Sequence, residues 1–170
     1  MEAAAWGLIG TLVGALTSIG TTWLSSRNSY SLQGARLGEE RAERARSFQR
    51  ETLLALQEAI HDALRLNARA HLEAHEAYRQ TGKWGDRLLT EEVNEGSRLA
   101  YRRVSILVER VSDDPLRTMV KALTRLAAEG SFVRSEHDAE LNQQKLTAEA
   151  LTVFESLGSV LRSHYESSRP

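Results

Sequence analysis

Two histidines one helical turn apart are the residues best placed to do chemistry in this chain. In the stretch "HLEAHE", His71 and His75 stand four positions apart, a spacing that presents two imidazoles to one ion when the segment is helical. A zinc-protease signature would need Glu directly after the first histidine, and Leu72 stands there instead. His61 is ten residues from His71, and the chain has no cysteine to complete a ligand set. His71 and His75 are therefore metal candidates two ligands short of a site, and the sequence assigns no metal and no cofactor. With Glu58, Glu73 and Glu76 nearby, the same histidines could instead respond to pH.

Other reactive patterns are weaker. "GLIGTLVG" lacks the lysine of a phosphate loop and lies inside an apolar run. No nucleophile elbow or kinase-like motif accompanies the serines and histidines. Asn67, a polar residue on an apolar seam, reads as a register device. No catalytic residue emerges, and the chain reads as a non-enzyme.

The elements that would carry the histidines are helical throughout. Leu53, Leu56, Ile60, Ala63, Asn67, Ala70, Ala74 and Ala77 recur in steps of three and four, a seam that thins from Leu to Ala and predicts closer helix approach at its end. "QTGKWGDR" ends that helix at Gly82 and Gly85. A second helix starts near Thr90, with Val93, Ser97, Ala100, Val104, Leu107 and Val111 on one face. "SDDP" separates it from a third, for which Asp114 is the expected N-cap and Pro115 the first helical residue. Leu116, Met119, Val120, Leu123 and Leu126 form the third stripe, closed at Gly130. Ser135 with Asp138 resembles a capping box opening the last helix, whose stripe is Leu146, Ala150, Val153, Leu157, Val160 and Leu161. Short connections between four amphipathic helices imply an all-α fold, an antiparallel bundle of about four helices over residues 39–170.

Ahead of the bundle, Ala3–Ser26 is a run of 24 residues without charge. About 20 apolar residues cross a bilayer. Trp6 and Trp23 lie 17 positions apart, or ~25 Å along a helix, close to the separation of two interfacial belts. Residues 1–26 are thus expected to be one transmembrane helix, with Trp6, Trp23 and Arg27 at its interfaces, and 27–38 a juxtamembrane hinge or frayed helix. Gly7, Gly10, Gly14, Thr17 and Thr21 fall on one stripe of that span, and the large apolar side chains fall opposite. Small residues let helix backbones approach closely, so the stripe is a helix-association face and implies a homo-oligomer.

Charge gives the orientation. The first 26 residues hold only Glu2, and residues 27–170 carry 22 charges of each sign. This balance speaks against a nucleic-acid partner. Arg27, Arg36, Arg41, Arg44 and Arg46 follow the span while no Lys or Arg precedes it, which puts the N-terminus outside the inner (plasma) membrane and the bundle in the cytoplasm. Glu40 can pair with Arg36 and Arg44 at helical spacing.

In layout, Trp6, Gly7, Gly10, Gly14 and the Arg/Glu-rich run 36–51 resemble many small, uncharacterised bacterial single-pass membrane proteins. The resemblance covers the first third of the chain and implies membrane insertion without an activity. Phage inner-membrane spanins share one N-terminal span, but their helix is periplasmic, against the arginines after Ser26. The expected function is an oligomerising membrane anchor with a cytosolic helical interaction or sensing module, whose partners are the lipid bilayer, further copies of the chain and a cytosolic protein. The alternative is a pore-forming effector of toxin or anti-phage type.

Overall fold

The computed structural model describes residues 2–86 and 88–166, with side chains from residue 36 onward. It is all-α, with four helices in the order α1 (Glu2–Thr81), α2 (Glu91–Val108), α3 (Asp114–Gly130) and α4 (Glu136–Glu166). The chain divides into two units, residues 1–45 and 46–170.

In the first unit the backbone of 27–38, expected to be a hinge or a frayed helix, is helical and lies within α1. Isolated Ser and Gly lower helix propensity by up to about 1 kcal/mol each without breaking a helix, and no proline interrupts the segment. Glu40 pairs with Arg44 at 3.1 Å, as its spacing allows. The side chains of Trp6, Gly7, Gly10, Gly14, Thr17, Thr21, Trp23 and Arg27 lie outside the described residues. Among the described residues no helix is long and apolar enough to cross a membrane.

The second unit is a four-helix bundle with antiparallel neighbours. Gln49 and Arg69 of α1 meet Arg110 and Glu92, so α1 and α2 run in opposite directions. His61 stacks on Phe154 with ring centroids 4.2 Å apart, and His75 meets Glu136, which sets α4 antiparallel to α1. Lys121 of α3 reaches Glu109 beyond the end of α2 at 2.7 Å, and Asn142 of α4 donates to the Leu126 carbonyl of α3.

The apolar stripes face one core. Leu53, Leu56 and Ile60 of α1 are buried with Val104 and Val108 of α2, Leu116, Val120 and Leu123 of α3, and Leu146, Val153 and Leu157 of α4. Burying each large aliphatic side chain stabilises the fold by about 1.5–3 kcal/mol. Val111, in the connection after α2, is buried with them.

Capping differs from expectation by one residue at α3. Asp113, not Asp114, is the N-cap: its Oδ1 accepts from the Leu116 N–H at 2.8 Å, and Asp114 is already helical. Either aspartate suits a helix N-terminus, but Asp113 is three residues before the N–H it caps. At α4 the Asp138 N–H donates to Ser135 Oγ at 3.1 Å, as expected. The reciprocal half changes, because the short Asp138 carboxylate accepts from the Ser135 hydroxyl at 2.7 Å. A glutamate would reach back to the cap's N–H.

Candidate functional site

The end of the bundle formed by the last turns of α1, the start of α4 and the loops 82–90 and 131–135 gathers most of the unusual side chains. Past Ala63 no α1 residue is fully buried, although the seam of Asn67, Ala70, Ala74 and Ala77 continues on schedule. The side chains of this seam are small. They leave a cavity of about 300 Å³ lined by residues of α1, both loops and α4, among them Asn67, Ala74, Trp84, Leu89, Val133 and Asn142.

Several contacts shape this end. Gly82 and Gly85 take φ of +70° and +76°, a region open to glycine, so the chain turns sharply out of α1 and folds Trp84 back. The Gly82 N–H closes the helix on the Tyr78 carbonyl at 2.7 Å. At the other end of the loop, Thr90 donates its N–H and its hydroxyl to Glu73, each at 3.0 Å. Arg69 fastens the start of α2 by two hydrogen bonds to Glu92, at 2.8 and 3.2 Å. Across the bundle, Asn142 packs so close to Gly130 that a Cβ there would lie 2.5 Å from its Oδ1. A larger residue there would push the Asn142 amide aside.

Within this frame the two histidines acquire neighbours that their own segment does not provide. Trp84 lies 6.0 Å from the His71 ring and 6.5 Å from the His75 ring, centroid to centroid, and Tyr78 lies 5.9 Å from Trp84. His75 Nε2 is 2.9 Å from Glu136 Oε1. His75, Glu136 and Glu140 each bring one ligand atom into a group whose members all lie within 4.8 Å of one another. His71 is outside that group, with its ring centroid 6.3 Å from that of His75. Burial holds the His71 imidazole below the ordinary histidine pKa, the charge of His75 adds to this, and Glu140 opposes it. His71 also lines an open groove of about 590 Å³ with Glu140, Gln144, Thr147 and Leu151 of α4.

No family model, curated protein or solved structure matches the chain. The site is therefore argued from its own residues. His71 and His75 stay on one face of α1, as their spacing predicts, and the carboxylates that gather beside His75 come from α4. Glu136 and Glu140 were not singled out, yet they repeat the four-residue spacing of the histidines on the antiparallel neighbour. That repeated interval is the signal through which the sequence could have disclosed them. Trp84 and Glu73 carry no such signal, because their roles depend on how the loop folds back.

Asn67 lines the cavity beside Tyr101 of α2. The Tyr101 hydroxyl is buried without a hydrogen-bond partner of good geometry. Burial pushes its pKa up, and Asn67 draws it part of the way back. The cavity and the polar groups around it suit holding a ligand or a partner.

The same end is apolar at its surface. Leu88, in the loop after α1, is 99% exposed, and Phe132, in the loop after α3, is 81% exposed. Large apolar side chains left in water at loop tips cost solvation free energy.

Proposed function

We propose that this protein is a non-enzymatic, single-pass inner-membrane anchor that assembles into homo-oligomers and presents a cytoplasmic helical bundle as an interaction or sensing module. The observation that carries the module reading is the apolar tip, where Leu88 and Phe132 stand exposed on two loops that meet at one end of the bundle. The uncharged run Ala3–Ser26, with its two tryptophans and the arginines after it, supports the anchor and its orientation. The stripe of Gly7, Gly10, Gly14, Thr17 and Thr21 supports assembly through the span.

The test is the mass of the full-length chain in mild detergent by light scattering, beside Gly10→Ile and Gly14→Ile. A defined oligomer that falls to monomer in both variants supports the reading. A wild-type monomer overturns the assembly, and release of the chain from membranes by alkaline carbonate overturns the anchor. If expression depolarises the host membrane and either substitution abolishes that effect, the span is instead part of a pore.

A further inference from the structure

We infer that His75, Glu136 and Glu140 form a binding site for a divalent transition-metal ion of the zinc class, tying the last turns of α1 to the first turns of α4. This goes beyond the anchor reading and is independent of it, because every ligand lies in the bundle.

The geometry is close to that of a bound ion. Zinc holds imidazole nitrogen and carboxylate oxygen at about 2.0–2.2 Å, which in a tetrahedral site sets ligand atoms ~3.4 Å apart. All three ligand atoms lie within 4.8 Å of one another, and His75 Nε2 and Glu136 Oε1, now in direct contact at 2.9 Å, would part by about 0.5 Å to admit the ion. Closing the widest remaining gap needs a movement of up to about 1.4 Å, small for an exposed side chain such as Glu140. Both helices meet here in antiparallel register, which brings the three groups together without an ion.

The charges call for a cation. Glu136 and Glu140 are one turn apart on the same helix, and like charges at this spacing repel. The first turn of α4 accounts for Glu136, because an N-terminus favours acidic residues. Glu140 lies beyond that turn. No lysine or arginine pairs with either carboxylate among the described residues, and the contact of Glu136 is His75. An ion between the three groups would neutralise both carboxylates and use the imidazole as its nitrogen ligand. That imidazole favours a transition ion over magnesium or calcium, which prefer oxygen ligands alone.

The surroundings suit the assignment. His75 and Glu136 are each about one-third exposed, so the ion has a path to solvent. Trp84 and Tyr78 pack beside His75 and shield one side of the site. Three protein ligands leave the fourth position to water, the layout of an open site. An ion there would staple the part of α1 beyond Ala63, where no residue of the helix is fully buried, which makes the site a means by which metal availability sets the order of the apolar tip.

The experiment is isothermal titration of zinc chloride into the untagged, chelator-treated full-length chain in detergent, beside His75→Gln and Glu140→Gln, with magnesium chloride as a control. The expected result is saturable binding of one zinc per bundle, no response to magnesium, and affinity at least about tenfold weaker in each variant. Glu140 is exposed, so its substitution leaves the core intact; unchanged helical circular dichroism checks this directly. Cobalt substitution gives a second readout, in which the visible absorption of a nitrogen- and oxygen-ligated ion disappears with His75→Gln. Absence of saturable zinc binding in the wild type, or binding that persists undiminished in both variants, overturns the site.

Discussion

The two ends of the bundle are made from the same four helices and are filled in different ways. At one end Leu53 and Leu56 meet Val108, Val111 and Leu116, all nearly free of solvent. Gln49 fastens the connection between α2 and α3 there: its side-chain amide donates to the Arg110 carbonyl at 3.0 Å and its oxygen accepts from the Ser112 N–H at 3.0 Å. At the other end α1 offers alanines, and the space is taken by a cavity, a folded-back tryptophan and polar groups. The difference teaches that the fold is secured at the first end, which leaves the second free to carry chemistry. Regions with few buried apolar contacts open more readily than the core they adjoin.

Substitutions that separate the ends should differ in size. Leu56→Ala, at a fully buried position of the packed end, is expected to cost about 3 kcal/mol, read from the urea midpoint of the full-length chain in detergent. A loss below about 1 kcal/mol would mean that the core there repacks freely. Gln49→Ala hands two exposed hydrogen bonds of the α2–α3 connection over to water, and should lower stability by about 1 kcal/mol in the same measurement.

Between the two ends, Tyr101→Phe removes a buried hydroxyl that lacks a well-aligned partner, and should be neutral or stabilising by up to about 1 kcal/mol. It also has a signature in pH. Because the folded state raises the Tyr101 pKa, it favours the protonated phenol. That contribution is fully present below the unfolded value of about 10 and is lost as pH rises through the raised one. Alkaline destabilisation should therefore be smaller in Tyr101→Phe than in the wild type, measured as the urea midpoint at pH 9 and pH 11. The smallest effect is expected at the open end, where Ala74→Leu places extra methyl groups into the cavity and should change stability by less than about 1 kcal/mol in either direction. A large loss there would show that the cavity walls are as tightly determined as the core.

The helices and their inward faces were legible in the sequence because amphipathic spacing is a local property. Leu53, Leu56, Ile60, Val104, Leu123 and Leu157 all lie where their periodicity places them. The turn at Gly82 was legible for the same reason, since the backbone needs positive φ within the segment itself. The cavity beside the alanine seam was not legible, because Trp84 and the loop after α1 that line it reach it only through the fold of the loop. The candidate site was half legible. His71 and His75 share a face by spacing alone, whereas Glu136 and Glu140 join His75 only through the register of two helices that are far apart in sequence.

Amide hydrogen exchange on the full-length chain, with and without zinc, tests the division between the ends most directly. The account predicts slow exchange over 53–63 and markedly faster exchange over 67–81 in the absence of metal, with zinc slowing 71–81 and the first turns of α4 and leaving 53–63 unchanged. Uniform protection along α1, unaffected by zinc, would contradict it.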